Sequence, residues 1–183
     1  VCSSDLEPSA ITLTEVSNTS ITCFDEDNGA VEIVASGGSS SYAYSWSNNQ
    51  STATNTGLVD GNYTISVTDL NSCLETLVIT INEPTELLGS IICSSVTTNG
   101  GNDGGVSSTV SGGVSGYTYS WDVSGLTTSS LSGLSAGPVN VTISDANNCS
   151  VTDICTVTEP SCNLTLSVNV SPTLCNGSVD GIA

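Results

Sequence analysis

The chain has 183 residues and contains 18 Asp and Glu residues but no Lys, Arg or His, so its formal charge is −18. Without His or Lys there is no Ser-His-Asp or Cys-His catalytic machinery and no Schiff base. Nucleic acids and anionic membrane surfaces are bound through cationic side chains, which are absent here. The composition therefore excludes most enzyme classes and predicts neither a nucleic-acid partner nor direct membrane insertion.

The remaining composition predicts a folded extracellular protein. Hydrophobic residues make up 37% of the chain and charged residues only 10%, which is too apolar for a disordered segment. Eight cysteines occur without a CxxC pair and without His, so disulfides are favoured over a zinc site. Disulfides persist in oxidising compartments, and we expect an extracellular or cell-surface location.

An internal repeat determines the predicted domain organisation. The dipeptide Glu-Pro occurs at 7–8, 83–84 and 159–160, and the pattern Tyr-x-Tyr-Ser-Trp occurs at 42–46 and 117–121. Self-similarity at a fixed period indicates a repeat architecture. We predict complete units at 9–84 and 85–160, preceded by the last strand of another repeat (1–8) and followed by the start of a third (161–183). Because neither end piece could bury an apolar face alone, we expect the chain to be a segment of something longer or part of an assembly.

Each unit reads as short strands separated by turns. In the first unit, apolar or alternating runs predict strands at 11–14, 30–34, 42–46, 63–68 and 77–81, and turn residues stand at 37–38, 60–61 and 71–72. No stretch has a helical period. The predicted fold class is all-β, a tandem array of antiparallel β-sandwiches.

Aromatic residues on the predicted strands have two interpretations. The first is that they pack in the cores, and the alternative is a platform on which a sugar ring stacks. The residues concerned are Tyr44, Trp46, Tyr63, Tyr119 and Trp121.

The repeated residues resemble a known family, the SprB repeat. The resemblance rests on segments 21–29, 36–38, 42–48, 57–58, 61–69 and 71–73, on their counterparts in the second unit, and on 173–177. The second unit departs from the pattern because Thr98-Asn99 stand where a cysteine is expected. SprB repeats occur in large surface adhesins of gliding bacteria exported by type IX secretion. The resemblance implies an Ig-like sandwich, adhesion or filament building, and no catalytic residue.

The acidic turn before the second predicted strand is a candidate metal site. Asp25, Asp27 and Asn28 offer the oxygen ligands that calcium prefers, although Asx turns also form without metal. Ca²⁺ is thus a possible cofactor, and none is certain. The second unit has Asn102-Asp103 here, so a catalytic acid pair is not retained between the repeats.

Arithmetic on the repeat predicts two disulfides. The numbers of Cys23 and Cys73 add up to 96, and Cys93 and Cys155 stand where Ser17 and Ile79 stand, whose numbers also add up to 96. A constant sum is the register of antiparallel neighbours, so we predict that the first and last strands run side by side with bonds Cys23–Cys73 and Cys93–Cys155. The remaining cysteines have no partner in this register: Cys2, Cys149, Cys162 and Cys175. Of these, Cys2 and Cys175 are expected to pair with cysteines outside the segment.

These patterns predict a non-enzymatic, structural and adhesive segment of a long extracellular adhesin or filament. The expected partners are neighbouring repeats or other copies, and cell surfaces, abiotic surfaces or glycans. The alternative is a secreted carbohydrate-binding module, with or without calcium. The two differ in their tryptophans, because a spacer should bury Trp46 and Trp121 whereas a glycan site should expose aromatic side chains.

Overall fold

The computed structural model describes residues 9–123 and 125–161, and these residues form strands and loops without helices. In the first repeat the strands are β1 (Thr12–Thr19), β2 (Gly29–Ser36), β3 (Ala43–Trp46), β4 (Thr54–Leu58), β5 (Gly61–Thr68) and β6 (Leu74–Ile81). In the second repeat they are β7 (Leu88–Ser94), β8 (Gly104–Ser111), β9 (Thr118–Trp121), β10 (Ser130–Leu134), β11 (Gly137–Ser144) and β12 (Ser150–Val157). Among the described residues, no helix is long and apolar enough to cross a membrane.

Each repeat consists of two three-stranded sheets. The first repeat has the orders β1-β2-β4 and β3-β5-β6, and the second has β7-β8-β10 and β9-β11-β12. All neighbouring strands are antiparallel. Two such sheets packed face to face form an Ig-like sandwich. The expected all-β class with Ig-like antiparallel sandwiches is thus confirmed.

The two cores come from the inward faces of these sheets. In β2 the buried residues alternate along the strand, as in a sheet with one solvated face. The core of the first repeat includes Ile33, Trp46 and Ile65, and its counterpart in the second includes Trp121 and Ile143. The tyrosines predicted for the core are half-buried and pack against these clusters: Tyr44, Tyr63 and Tyr119.

A β-bulge explains why equivalent residues of the two repeats are 76 positions apart at the start of β1 and 75 positions apart at its end and in β2. In β1 the register with β2 shifts between Glu15 and Ser17, so that Val16 is an extra residue without a counterpart in β7. Asn18 faces Val31 as Cys93 faces Val106, and the offset between the repeats is therefore 75 here. Cys93 consequently corresponds to Asn18, and the expected correspondence with Ser17 is wrong.

Two further expectations need correction. Strand β4 was not predicted, because Thr54–Leu58 has no apolar alternation and only its Leu is a large apolar residue. The first and last strands do not run side by side in one sheet: β1 and β6 belong to opposing sheets, as do β7 and β12. The predicted pieces at 1–8 and 162–183, with Cys2, Cys162 and Cys175, lie outside the described residues.

Candidate functional site: the loop and turn that join the repeats

The turn between β11 and β12 is built around a buried carboxylate. Asp145 is 3% exposed and accepts hydrogen bonds from the backbone N–H groups of Val114 (2.8 Å), Asn147 (2.9 Å) and Cys149 (2.9 Å). The Val114 N–H is the largest influence, and together these donors hold the pKa of Asp145 below its usual value against the opposing effect of burial. The carboxylate therefore fixes the turn from which the Cys149 side chain projects.

The turn between β5 and β6 repeats this arrangement. The Asp69 carboxylate accepts hydrogen bonds from the backbone N–H groups of Ser39 (2.9 Å), Asn71 (2.9 Å) and Cys73 (2.8 Å). The pKa of Asp69 is lowered in the same way, with the Ser39 N–H as the main cause. Ser72 and Asn148 both adopt left-handed backbone conformations, with φ of 65° and 66°. The sequence pattern Asp-x-Asn-x-Cys thus specifies one rigid turn that presents a cysteine.

The loop between β1 and β2 presents the other cysteine. The Cys23 N–H donates to Glu26 Oε2 (3.2 Å), and the Thr22 N–H donates to Asn28 Oδ1 (3.0 Å). Glu83, the Glu of the Glu-Pro pair, accepts the Asp25 N–H at 3.0 Å, so the end of the repeat is tied back to its own loop. In the second repeat Glu159 accepts the Gly100 N–H in the same way, at 2.9 Å.

This loop and this turn meet between the two repeats. Cys23 and Cys149 form a disulfide with a Cα–Cα distance of 5.7 Å, and Asn147 Nδ2 donates to the Thr22 carbonyl oxygen at 2.8 Å. We call these four residues the clasp. Beside the clasp lies an open cleft of about 510 Å³ whose apolar walls include Phe24, Leu87 and Val151.

The clasp overturns one predicted disulfide. Cys23 was expected to bond to Cys73, and Cys149 was expected to have no partner, yet Cys23 bonds to Cys149 and Cys73 is an exposed free thiol. The physical reason is the position of the loop, which lies against the turn of the following repeat rather than against that of its own.

The second predicted disulfide is present. Cys93 of β7 and Cys155 of β12 are bonded with a Cα–Cα distance of 5.8 Å. Because the two strands belong to opposing sheets, the bond fastens one sheet to the other. The same two strands are also joined by the Ile91 N–H, which donates to Asp153 Oδ2 at 2.8 Å.

The tryptophans are structural. Trp46 and Trp121 are 3% and 5% exposed, and their indole N–H groups donate to the carbonyl oxygens of Thr52 and Thr128, both at 2.9 Å. A buried, hydrogen-bonded indole offers no face to a sugar. The arrangement therefore fits core packing and not a stacking platform.

The acidic turn is held by hydrogen bonds of its own. The Asn28 side chain, besides accepting the Thr22 N–H, donates to Glu26 Oε2 at 2.7 Å. In the part of the chain that the structure describes, no three Cys, Asp or Glu side chains are grouped so that they could hold a metal ion. Calcium at Asp25, Asp27 and Asn28 stays a prediction.

Several residues of the site were not predicted as such. Asp69, Asp145 and Asn147 stand in the repeated Asp-x-Asn-x-Cys pattern, and Glu83 and Glu159 stand in the repeated Glu-Pro pair. Their recurrence at a constant spacing was visible, but the hydrogen bonds they make could not be deduced from it.

Comparison with known proteins supports the expected family. The family described as "SprB repeat" matches residues 16–51, which include Cys23 and Trp46, so the resemblance to SprB repeats is confirmed in the first unit. A comparison with curated protein sequences finds no significant match.

Several solved structures match the chain at low sequence identity. A structure titled "Structural basis for Dscam isoform specificity" is 14% identical, with a TM-score of 0.39 over 85% of this chain and 47% of that one. The N-terminal eight Ig domains of DSCAM isoform 1.30.30 are 13% identical, with a TM-score of 0.40 over 84% and 24%. The C-terminal 282-residue fragment of intimin, in complex with the intimin-binding domain of Tir, is 13% identical, with a TM-score of 0.36 over 85% and 64%. The chain thus spans about half the length of the first of these structures.

Proposed function

We propose that the chain is a structural and adhesive segment of a long extracellular cell-surface adhesin or filament, in which each sandwich adds length and carries part of the attachment surface. The SprB-repeat match and the tandem Ig-like sandwiches support an adhesin-type repeat. Secretion by the type IX system, a part in gliding motility and a non-enzymatic role belong to the proposal, because they are what the resemblance implies.

The clasp is the observation that carries the proposal. Its disulfide joins residues that are 126 positions apart. In the chain-entropy model, such a bond stabilises the folded state by about 5 kcal/mol, because it restricts the unfolded chain. The bond also fixes the loop of one repeat against the turn of the next, which a flexible pair of independent domains would not require. A joint of this kind suits a segment that has to keep its length and direction under load.

The charge of the chain fits the same role. With no Lys, Arg or His, no side-chain ion pair is available to stabilise the fold. Buried carboxylates are instead satisfied by backbone N–H groups, as at Asp69 and Asp145. The net negative charge makes copies of the chain repel one another, which favours solubility. Attachment to cell surfaces, abiotic surfaces or glycans would then proceed through polar and apolar contacts on the exposed strand faces.

The proposed location is tested on intact cells. Immunogold labelling with an antibody raised against residues 9–161 should decorate filaments or extended tethers on unpermeabilised cells. Labelling that requires lysis would overturn the proposed location, and purified chain that adheres to no cell, mineral or glycan surface would overturn the adhesive part.

The rigidity of the joint is tested in solution. Small-angle X-ray scattering of the oxidised chain should give one well-defined maximum dimension, which should become broadly distributed in a variant with C23S and C149S. The matched control carries C93S and C155S, which removes a disulfide of the same chain without touching the joint. Equal broadening in both variants would show that the clasp does not fix the two repeats.

The alternative of a carbohydrate-binding module has less support. A glycan site should present exposed aromatic residues beside acidic or amide groups, whereas both tryptophans are buried.

A further inference from the structure

The exposed thiol of Cys73 stands where the second repeat carries one half of the clasp. Cys73 and Cys149 occupy equivalent positions, 76 residues apart, directly before β6 and β12. Cys149 is bonded to the loop cysteine of the preceding repeat, whereas Cys73 is the free cysteine among the described residues. One chain therefore shows the same turn with and without its partner.

The unbonded turn already has the backbone of the bonded one. The Cys73 N–H donates to Asp69 Oδ1 at 2.8 Å and the Cys149 N–H donates to Asp145 Oδ1 at 2.9 Å. In the reverse direction, the Asp69 and Asp145 N–H groups donate to the cysteine carbonyl oxygens at 3.0 and 2.9 Å. The backbone of the Cys73 turn therefore needs no rearrangement to accept a partner.

The asparagine of the turn donates to different acceptors in the two repeats. In the clasp, Asn147 Nδ2 donates across the joint to the Thr22 carbonyl oxygen. The equivalent Asn71 Nδ2 instead donates to Ser39 Oγ within its own repeat, at 2.5 Å. Val114, which replaces Ser39 in the second repeat, has no hydroxyl group to compete for the amide. Asn71 thus has an N–H group that can donate to a partner loop, and in the absence of that loop it donates to Ser39 Oγ.

We propose that Cys73 is a covalent attachment site that forms a second clasp with the cysteine-bearing β1–β2 loop of another SprB-type repeat. The cysteine of the described β1–β2 loop, Cys23, is already bonded to Cys149, so the partner of Cys73 comes from the loop of another repeat. An upstream repeat of the same polypeptide, or a second copy of the chain in which Cys23 is not bonded to Cys149, offers such a cysteine. The inference rests on the proposed role of the clasp as a joint between repeats.

Forming this bond requires an oxidant. The Cys73 thiolate attacks one sulfur of a disulfide oxidant, either a thiol–disulfide oxidoreductase or oxidised glutathione, and the other sulfur leaves as a thiolate with the bonding electron pair. The thiolate of the loop cysteine then attacks the Cys73 sulfur in the mixed disulfide, forms the new S–S bond and releases the second thiol of the oxidant. Two thiols are oxidised, one disulfide is reduced, and two protons pass to the released thiolates.

The test measures how strongly Cys73 prefers the loop. The chain carries C2S, C162S and C175S and is equilibrated in a glutathione redox buffer with a synthetic peptide of residues 20–28, or with the same residues in scrambled order. One added hydrogen bond of ordinary net strength corresponds to about a twofold to tenfold preference for the loop peptide over the scrambled one. N71A should remove that preference. Equal occupancy by the two peptides would overturn the proposal.

Two further measurements separate the possible failures. The Cys23–Cys149 bond of the same chain should resist reduction in the same buffer, and if it does not, the clasp itself and with it the proposed function fails. If it resists but Cys73 shows no preference, the second clasp alone is wrong. In native material digested at acidic residues without reduction, Cys73 should be found linked to an upstream loop peptide or to a loop peptide of a second copy, which identifies the source. Cys73 recovered free, or linked to Cys2, would overturn the proposal.

Discussion

The clasp determines how far the chain can be stretched. When force is applied outside residues 23–155, the shortest covalent path in the oxidised protein crosses from Cys23 to Cys149 and bypasses 126 residues. In a variant with C23S and C149S, the path instead runs to Cys93, crosses to Cys155 and bypasses 62 residues. The clasp alone therefore keeps a further 64 residues (126 less 62) from being stretched.

The lengths are large enough to measure. A fully extended residue spans about 3.3–3.6 Å, so the C23S/C149S variant should reach a final contour length about 220 Å greater than that of the oxidised wild type. Adding a thiol reductant releases the remaining 62 residues and about 210 Å more. Reduced wild type should therefore exceed oxidised wild type by about 430 Å.

Single-molecule force spectroscopy provides the assay, with handles at the chain ends, Cys73 kept, and the cysteines outside the described residues (Cys2, Cys162 and Cys175) replaced by Ser. The decisive control is C93S/C155S. While the clasp is intact, the path through it is shorter than the path through Cys93–Cys155, so this variant should match the oxidised wild type. If the two have the same final length but the C23S/C149S variant is no longer than either, the clasp does not carry the load.

The control also separates the observed pairing from the one that the sequence predicted. If Cys23 were bonded to Cys73, the bonds would bypass 50 and 62 residues in succession, and removing Cys93–Cys155 would lengthen the stretched chain by about 210 Å. The clasp predicts no change. A lengthened C93S/C155S variant would therefore refute the joint between the repeats and restore the pairing within one repeat.

The strands and the repeat could be predicted because they depend on local patterns. Alternation along β2 and β5 is a direct consequence of one buried face, and it can be read without knowing the neighbours. Strand β4 lacks such a pattern: its backbone pairs with β2, yet within Thr54–Leu58 only Asn55 and Leu58 are buried. Its strand character comes from the neighbouring strand, which no local pattern reveals.

The clasp could not be predicted because it depends on how two repeats lie against each other. The numerical rule treated each repeat as closed and assumed that its first and last strands form one ladder. The extra residue Val16 already breaks the constant sum, and Cys93–Cys155 pairs across the sandwich rather than along a ladder. The bond Cys93–Cys155 was thus predicted correctly, although the argument wrongly placed its two strands side by side in one sheet.

Four further predictions follow from the packing and the charges. Trp46→Ala should cost about 3–5 kcal/mol in urea unfolding, because it empties a buried site, whereas F24A, at a side chain 46% exposed, should change the stability far less. C93S/C155S should lower the free energy of unfolding by about 4 kcal/mol, since the bond closes a loop of 62 residues. The melting temperature should rise with sodium and with calcium, because both screen the repulsion among 18 uncompensated acids. A larger rise with calcium at matched ionic strength would support a site in the acidic turn, and an equal rise would reject it. Finally, Asp145 should make the stability depend on pH only in acid. Its pKa is held below the ordinary value of 3.8, so the carboxylate contributes stability that is complete above about pH 4 and is lost as the pH falls through the lower pKa of the folded state. Urea unfolding from pH 7 to pH 2 should show this loss in the wild type and a shallower one in D145N, which cannot titrate; equal slopes below pH 4 would show that the three N–H donors do not act through the charge of this carboxylate.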